Sequence, residues 1–144
     1  MSIAQYLTDE HRRCDELFAK VEEAVSEGKW EEAGSLFERF KESTLLHFRK
    51  EEEILFPEFE EKTGITMGPT QVMRHEHDQA RDLMKRLEGA LESRNREEFL
   101  SVGESLMILI QQHNMKEEQV LYPMSDQNLR SDDVVKKMAN LGEV

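Results

Sequence analysis

The chain has a single cysteine, Cys14, among 144 residues. One cysteine excludes an intrachain disulfide and any CxxC redox or zinc motif. Only three prolines and seven glycines interrupt the chain, so long stretches run without a breaker. No apolar run approaches the roughly 20 residues of a membrane span. The opening residues MSIAQYLTDEHRR lack the basic region, apolar stretch and cleavage site of a signal peptide, so a cytoplasmic protein is expected. Positive charge is also scarce. Nineteen Lys and Arg stand against 31 Asp and Glu, for a net charge of −12. Such a balance argues against nucleic acid and anionic membrane as partners. The length suits one compact domain over residues 1–144 that can bury a core.

What the chain does have is an internal repeat at an offset of 66 residues. The offset pairs Glu10 with Glu76, His11 with His77, Leu17 with Leu83, His47 with His113, Glu51 with Glu117, Glu52 with Glu118, Leu55 with Leu121 and Pro57 with Pro123. Phe56 meets Tyr122, a near match. Histidine and glutamate dominate the repeated positions. A binuclear metal site on a pseudo-two-fold axis has this signature.

Helical periodicity fills the repeat halves, about 3–62 and 69–125. Helix A runs over about 3–27, with Ser2 and Gln5 as a capping box and Gly28 as its stop. Its apolar seam is Ile3, Leu7, His11, Cys14, Phe18, Val21 and Val25. Helix B begins near Trp30 and continues toward Lys62, with the seam Ala33, Phe37, Phe40, Thr44, His47, Glu51 and Ile54. Pro57 kinks or ends it, because proline lacks an N–H and clashes with the preceding turn. Gly64 to Gly68 is the midpoint linker and Pro69 opens helix C, whose seam is Met73, His77, Ala80, Met84, Leu87 and Leu91. Asn95 with Glu98 caps helix D, with the seam Phe99, Val102, Leu106, Leu109, His113, Glu117 and Val120. A short helix over Ser131 to Leu141 ends the chain. Strand alternation is absent. The expected fold is all-α, an up-down-up-down four-helix bundle with an internal two-fold repeat and a short C-terminal helix.

The histidines fall on the seams. Each helical residue turns about 100°, so positions three or four apart share a face. His11, His47, His77 and His113 continue apolar stripes into the core. Glu51 and Glu117 follow a seam histidine by four residues and face the same way. His75 points nearly opposite His77, onto a polar face with Gln79, Asp82 and Arg86. His11 lies 17 residues before Gly28 and His47 lies 19 after it, while His77 and His113 each lie 18 from Asn95. Each pair therefore returns to nearly one height in an antiparallel hairpin. A single HxxxE pair on an acidic helix is ordinarily a surface ion pair. Two such pairs, each joined to a distant seam histidine at a common offset, read instead as metal ligands, since buried carboxylates need a cation or a partner. Cys14 reads as a small buried apolar residue and the methionines as core filler. Tyr6 and Tyr122 read as packing aromatics, with hydrogen-bond donors behind the metal ligands as the alternative. Glu52 and Glu118 read as ordinary solvated charge.

The segments EH near the start, HFRKEEEILFP, VMRHEHDQAR and HNMKEEQVLYP together resemble the hemerythrin-like (HHE cation-binding) family over about residues 3–125. The resemblance implies a non-haem di-iron centre, two iron ions joined by an oxo or hydroxo bridge. His11 and His47 would bind one iron, His77 and His113 the other, and Glu51 and Glu117 would bridge them. The residues themselves suit iron, manganese and zinc alike. A ferritin-like site needs Glu-x-x-His, and no histidine here has a glutamate three positions before it. Two features depart from the oxygen-carrying members. Met73 stands where they have a further histidine, and the last motif is HxxxE where theirs is HxxxxD. The resulting set of four histidines and two glutamates leaves an extra open position, as a reactive centre needs. It resembles bacterial relatives associated with nitric oxide, peroxide and iron–sulfur repair, without the cysteine-containing N-terminal segment of the repair group. The expected partner is a small diatomic ligand or peroxide, bound or turned over by a minor oxidoreductase activity. The alternatives are a reversible oxygen or iron store without turnover and a metal-stabilised structural domain.

Overall fold

The computed structural model describes residues 1–144. It is all helical, with no strand. Helix α1 spans Ile3–Ser26, α2 Trp30–Lys50, α3 Phe56–Thr63, α4 Pro69–Glu92, α5 Arg96–Lys116, α6 Tyr122–Asn128 and α7 Ser131–Ala139. The joints from α2 to α3 and from α5 to α6 are π-helical turns, Glu51–Leu55 and Glu117–Leu121. None of these helices is long and apolar enough to cross a membrane.

Local chemistry sets the ends. The Ser2 hydroxyl accepts from Gln5 N at 2.9 Å, and Asn95 Oδ1 accepts from Glu98 N at 3.0 Å. Each satisfies an N–H that the first helical turn leaves free. Asp126 of α6 accepts from Ile3 N and Ala4 N at 2.7 and 3.1 Å, tying the far end of the repeat to the start of α1. α1 and α4 both close with an N–H bonded five residues back, Lys29 to Ala24 and Asn95 to Ala90, each at 2.9 Å. The residue before each sits in the left-handed region: Gly28 at φ 72° and, 66 positions on, Arg94 at φ 52°. The repeat thus extends to the turns.

α1 packs on α2 and α5, and α4 packs on α5 and α2. Two apolar clusters fill the interior. The larger holds Phe18, Phe37, Phe40, Met84, Leu87 and Phe99. The smaller holds Ile3, Leu7, Phe56, Met73 and Tyr122, and is covered by Val134 and Met138 of α7. Along α1 the order is Leu7, His11, Cys14; along α4 it is Met73, His77, Ala80. The histidines therefore lie in a layer between the two clusters.

Pro57 neither ends nor simply kinks the helix. A proline crowds the carbonyl four residues before it, and each repeat widens into a π turn ahead of its proline, with Phe56 N bonding Glu51 O and Tyr122 N bonding Glu117 O. This changes the seam. Ile54 is only half-buried and Val120 is half exposed, whereas Leu55, Phe56, Leu121 and Tyr122 are buried. The extra residue in the turn rotates the following chain, so a period of 3.6 fails just beyond each glutamate. Two smaller corrections are Ala90 in place of Leu91 and Ile110 in place of Leu109 on the buried face.

Candidate metal centre

All six seam residues are buried: His11, His47, Glu51, His77, His113 and Glu117 are at most 5% exposed. They form two groups. His11 and His47 meet Glu51 and Glu117, and His77 and His113 meet the same two carboxylates. His11 Nε2 and His113 Nε2 each lie 3.2 Å from Glu117 Oε1. His77 Nε2 and His47 Nε2 lie 3.1 and 3.5 Å from Glu51 Oε1. Every histidine thus turns Nε2 toward a carboxylate that both groups share. His75 is exposed on the opposite face of α4.

The other ring nitrogens are equally organised. Nδ1 of His11 donates to Glu118 at 2.7 Å, His47 to Glu10 at 2.9 Å, His77 to Glu52 at 2.7 Å and His113 to Glu76 at 2.9 Å. A carboxylate on the far nitrogen fixes the ring's orientation and raises its basicity as a metal ligand. Lys50 in turn donates to Glu10, Lys116 to Glu76, and Arg81 to Glu52 at 2.7 and 3.1 Å. Glu52 and Glu118 are therefore not idle surface charge. Their signal was available: Glu10 with Glu76, Glu52 with Glu118 and Lys50 with Lys116 all recur at the offset of 66 that singles out the histidines.

For Tyr122 the alternative reading, a hydrogen-bond donor, describes the structure better than packing alone. Its ring packs, but its hydroxyl enters the centre, 2.6 Å from Glu51 Oε2, 2.9 Å from Glu117 Oε1 and 3.0 Å from His11 Nε2. Burial and the charges of Glu117 and Glu51 push its pKa well above the ordinary value, keeping it a neutral donor. Tyr6 likewise uses its hydroxyl, accepting from Lys50 at 2.8 Å.

The electrostatics record crowding of buried charge. Burial works against protonation of His11, but hydrogen bonds to Glu117 and Glu118 outweigh it and push the ring up to about 10. For His77, burial is likewise outweighed by Glu51 and Glu52, and the ring rises to about 9. Burial and the adjacent Glu117 raise Glu51. Glu117 is held low against burial by His113, Glu51 and His11. Imidazoles raised this far are basic, and basic donors bind cations by losing protons. Cys14, at the edge of the layer, has its thiol pushed up to about 12 by burial, so it is a neutral apolar neighbour.

Each of the two donor groups could hold a metal ion. His47 Nε2, His113 Nε2 and Glu117 Oε2 are buried without a hydrogen-bond partner, a costly state that a bound cation relieves. Imidazole with carboxylate suits first-row metals such as iron, manganese and zinc. Beside the centre lies a small cavity of about 20 Å³ whose walls include His11, His47, His113, Cys14 and Thr44. Thr44 Oγ1 is buried there without a partner.

The profile of the hemerythrin HHE cation binding domain matches residues 2–125, nearly the whole chain. No curated protein and no solved structure matches it.

Proposed function

Because the chain belongs to the hemerythrin HHE cation-binding domain family, we propose that it is a non-haem di-iron protein. Its centre would lie inside an up-down-up-down four-helix bundle and bind, or react with, oxygen, nitric oxide or peroxide. His11 and His47 would hold one ion, His77 and His113 the other, and Glu51 and Glu117 would join them. The observation that carries this is the orientation of four imidazoles, each with Nδ1 held by a carboxylate and Nε2 turned to a shared one. When bound, the ions supply electrons and a position for a small ligand. The protein's share is to fix the donors, exclude bulk water and hold the Tyr122 proton between Glu51 and Glu117.

The cavity beside His11, His47 and His113 supports a small-ligand role over a purely structural one, since a stapling ion needs no adjoining space. Its volume suits about one water-sized molecule. Iron-supplied protein should contain about two ions per chain and, starting from an anaerobic sample, show a visible absorption that changes when oxygen or nitric oxide is admitted. A spectrum indifferent to both gases would leave a structural domain as the reading. Product formed over many turnovers distinguishes an enzyme from a reversible store. His75 and His77 test the assignment on α4: His75→Ala should keep wild-type metal content and His77→Ala should lose at least one ion. Equal losses would contradict the exposure of His75.

A further inference from the structure

The repeat is nearly exact among the ligands and broken immediately behind them. Arg81 lies behind the His77–Glu52 pair and neutralises it through two hydrogen bonds. The residue 66 positions earlier is Asp15. It lies near the His11–Glu118 pair and lines the same small cavity as His11. Glu118 has no lysine or arginine partner; its one ion pair is with His11. Burial raises the pKa of half-buried Asp15, with His11 pulling it down and the charge of Glu118 adding to the rise. The remaining outer carboxylates do not differ in this way, because Glu10 is matched by Lys50 and Glu76 by Lys116. Farther out, Arg81 also takes Asp78, which is 75% exposed, and Arg12, 73% exposed, takes Asp9; both lie in solvent, where their fields are screened.

A second break lies on the same side. Tyr122 stacks on His11 with ring centroids 5.6 Å apart, and Phe56 stacks on His77 at 5.8 Å. The pair is equivalent except for one hydroxyl, which faces His11, Glu51 and Glu117. The His11 position thus carries an extra oxygen and two carboxylates without a lysine or arginine partner, where the His77 position has a phenyl ring and a carboxylate neutralised by Arg81.

We propose that the two metal positions are inequivalent, with the position at His11 and His47 filling first and more tightly, and that Asp15 and Arg81 set this order as positioning residues. The inference rests on the di-metal reading above. A cation near two carboxylates that lack a lysine or arginine partner is bound more strongly than one whose outer carboxylate already holds a guanidinium.

The test is an anaerobic calorimetric titration of the metal-free full-length chain with ferrous iron. Two binding steps are expected, the first at least about tenfold tighter, as for one nearby and partly screened charge. His113→Ala should retain the tight step, and His47→Ala should retain only the weak one. Arg81→Gln should tighten the weak step and narrow the gap. The exchange Asp15→Arg with Arg81→Asp should reverse which single-histidine variant keeps the tight step. Asp15 and Arg81 are partly exposed, so their variants should fold even where a histidine variant does not, and circular dichroism checks this. Two ions bound with equal affinity, or a ratio indifferent to Asp15 and Arg81, would overturn the inference while leaving the di-metal reading intact. Fewer than two ions bound by the unmodified chain would overturn both.

Discussion

Glu117→Ala and Glu51→Ala are each expected to strip the protein of both ions, whereas a single histidine variant should cost chiefly one. The reason is geometric. Each histidine belongs to one donor group, but Glu51 and Glu117 belong to both. Glu117 Oε1 is 3.2 Å from imidazoles of the two different groups, His11 and His113, and Glu51 Oε1 is within 3.5 Å of His47 and His77. Losing either also removes negative charge that must offset about four positive charges when two divalent ions are bound. Metal content after desalting should fall from about two to well below one per chain, with helical content retained by circular dichroism. Retention of two ions by either variant would remove that glutamate from the bridge and make its neighbour, Glu52 or Glu118, the next residue to test.

The layer that carries this prediction is legible in the sequence. Histidines that continue an apolar stripe must face the core, and nearly equal spacing from Gly28 and equal spacing from Asn95 put each pair at nearly one height. The fold brings all six residues together there. The stretch just past each glutamate was not legible. Ile54 and Val120 fit a regular helix, but the π turns ahead of Pro57 and Pro123 hand their places to Leu55 with Phe56 and Leu121 with Tyr122. Periodicity assumes a constant turn, and a one-residue widening is invisible to it.

The carboxylates behind the histidines escaped for a different reason. Glu10, Glu52, Glu76 and Glu118 lie beside the seam, where a glutamate on a chain with 35% charged residues reads as solvated. Their contacts cross from one helix to another, His47 of α2 reaching Glu10 of α1 and His77 of α4 reaching Glu52. A pattern confined to one helix cannot register such a pairing. The repeat could have, because it pairs these glutamates as faithfully as the histidines. It also marks where symmetry stops: Tyr122 for Phe56 adds a hydroxyl to the centre, a difference that looks minor as a string and places a polar atom between two carboxylates.

Lys50→Met should destabilise the metal-free protein far more than Lys116→Met, although the two lysines are equivalent in the repeat. Lys50 is fully buried against Glu10, itself 1% exposed, and also donates to Tyr6 Oη at 2.8 Å. Its side chain lies over the Tyr6 ring, 5.1 Å from the centroid. Lys116 makes the corresponding bond to Glu76 from a side chain 50% exposed. Removing one partner of a buried ion pair leaves an uncompensated charge and costs about 3–5 kcal/mol. Removing a half-exposed one costs about 0–1 kcal/mol, because water and salt already screen it. Urea unfolding followed by circular dichroism should therefore show a large fall in midpoint for Lys50→Met and a small one for Lys116→Met, at unchanged slope. Adding Glu10→Gln to Lys50→Met should recover part of the loss, since the stranded charge is then gone and a neutral amide remains to face His47. Equal losses from the two lysines, or no recovery in the double variant, would mean that the Lys50–Glu10 pair is not the buried anchor of α1 against α2 that its geometry describes.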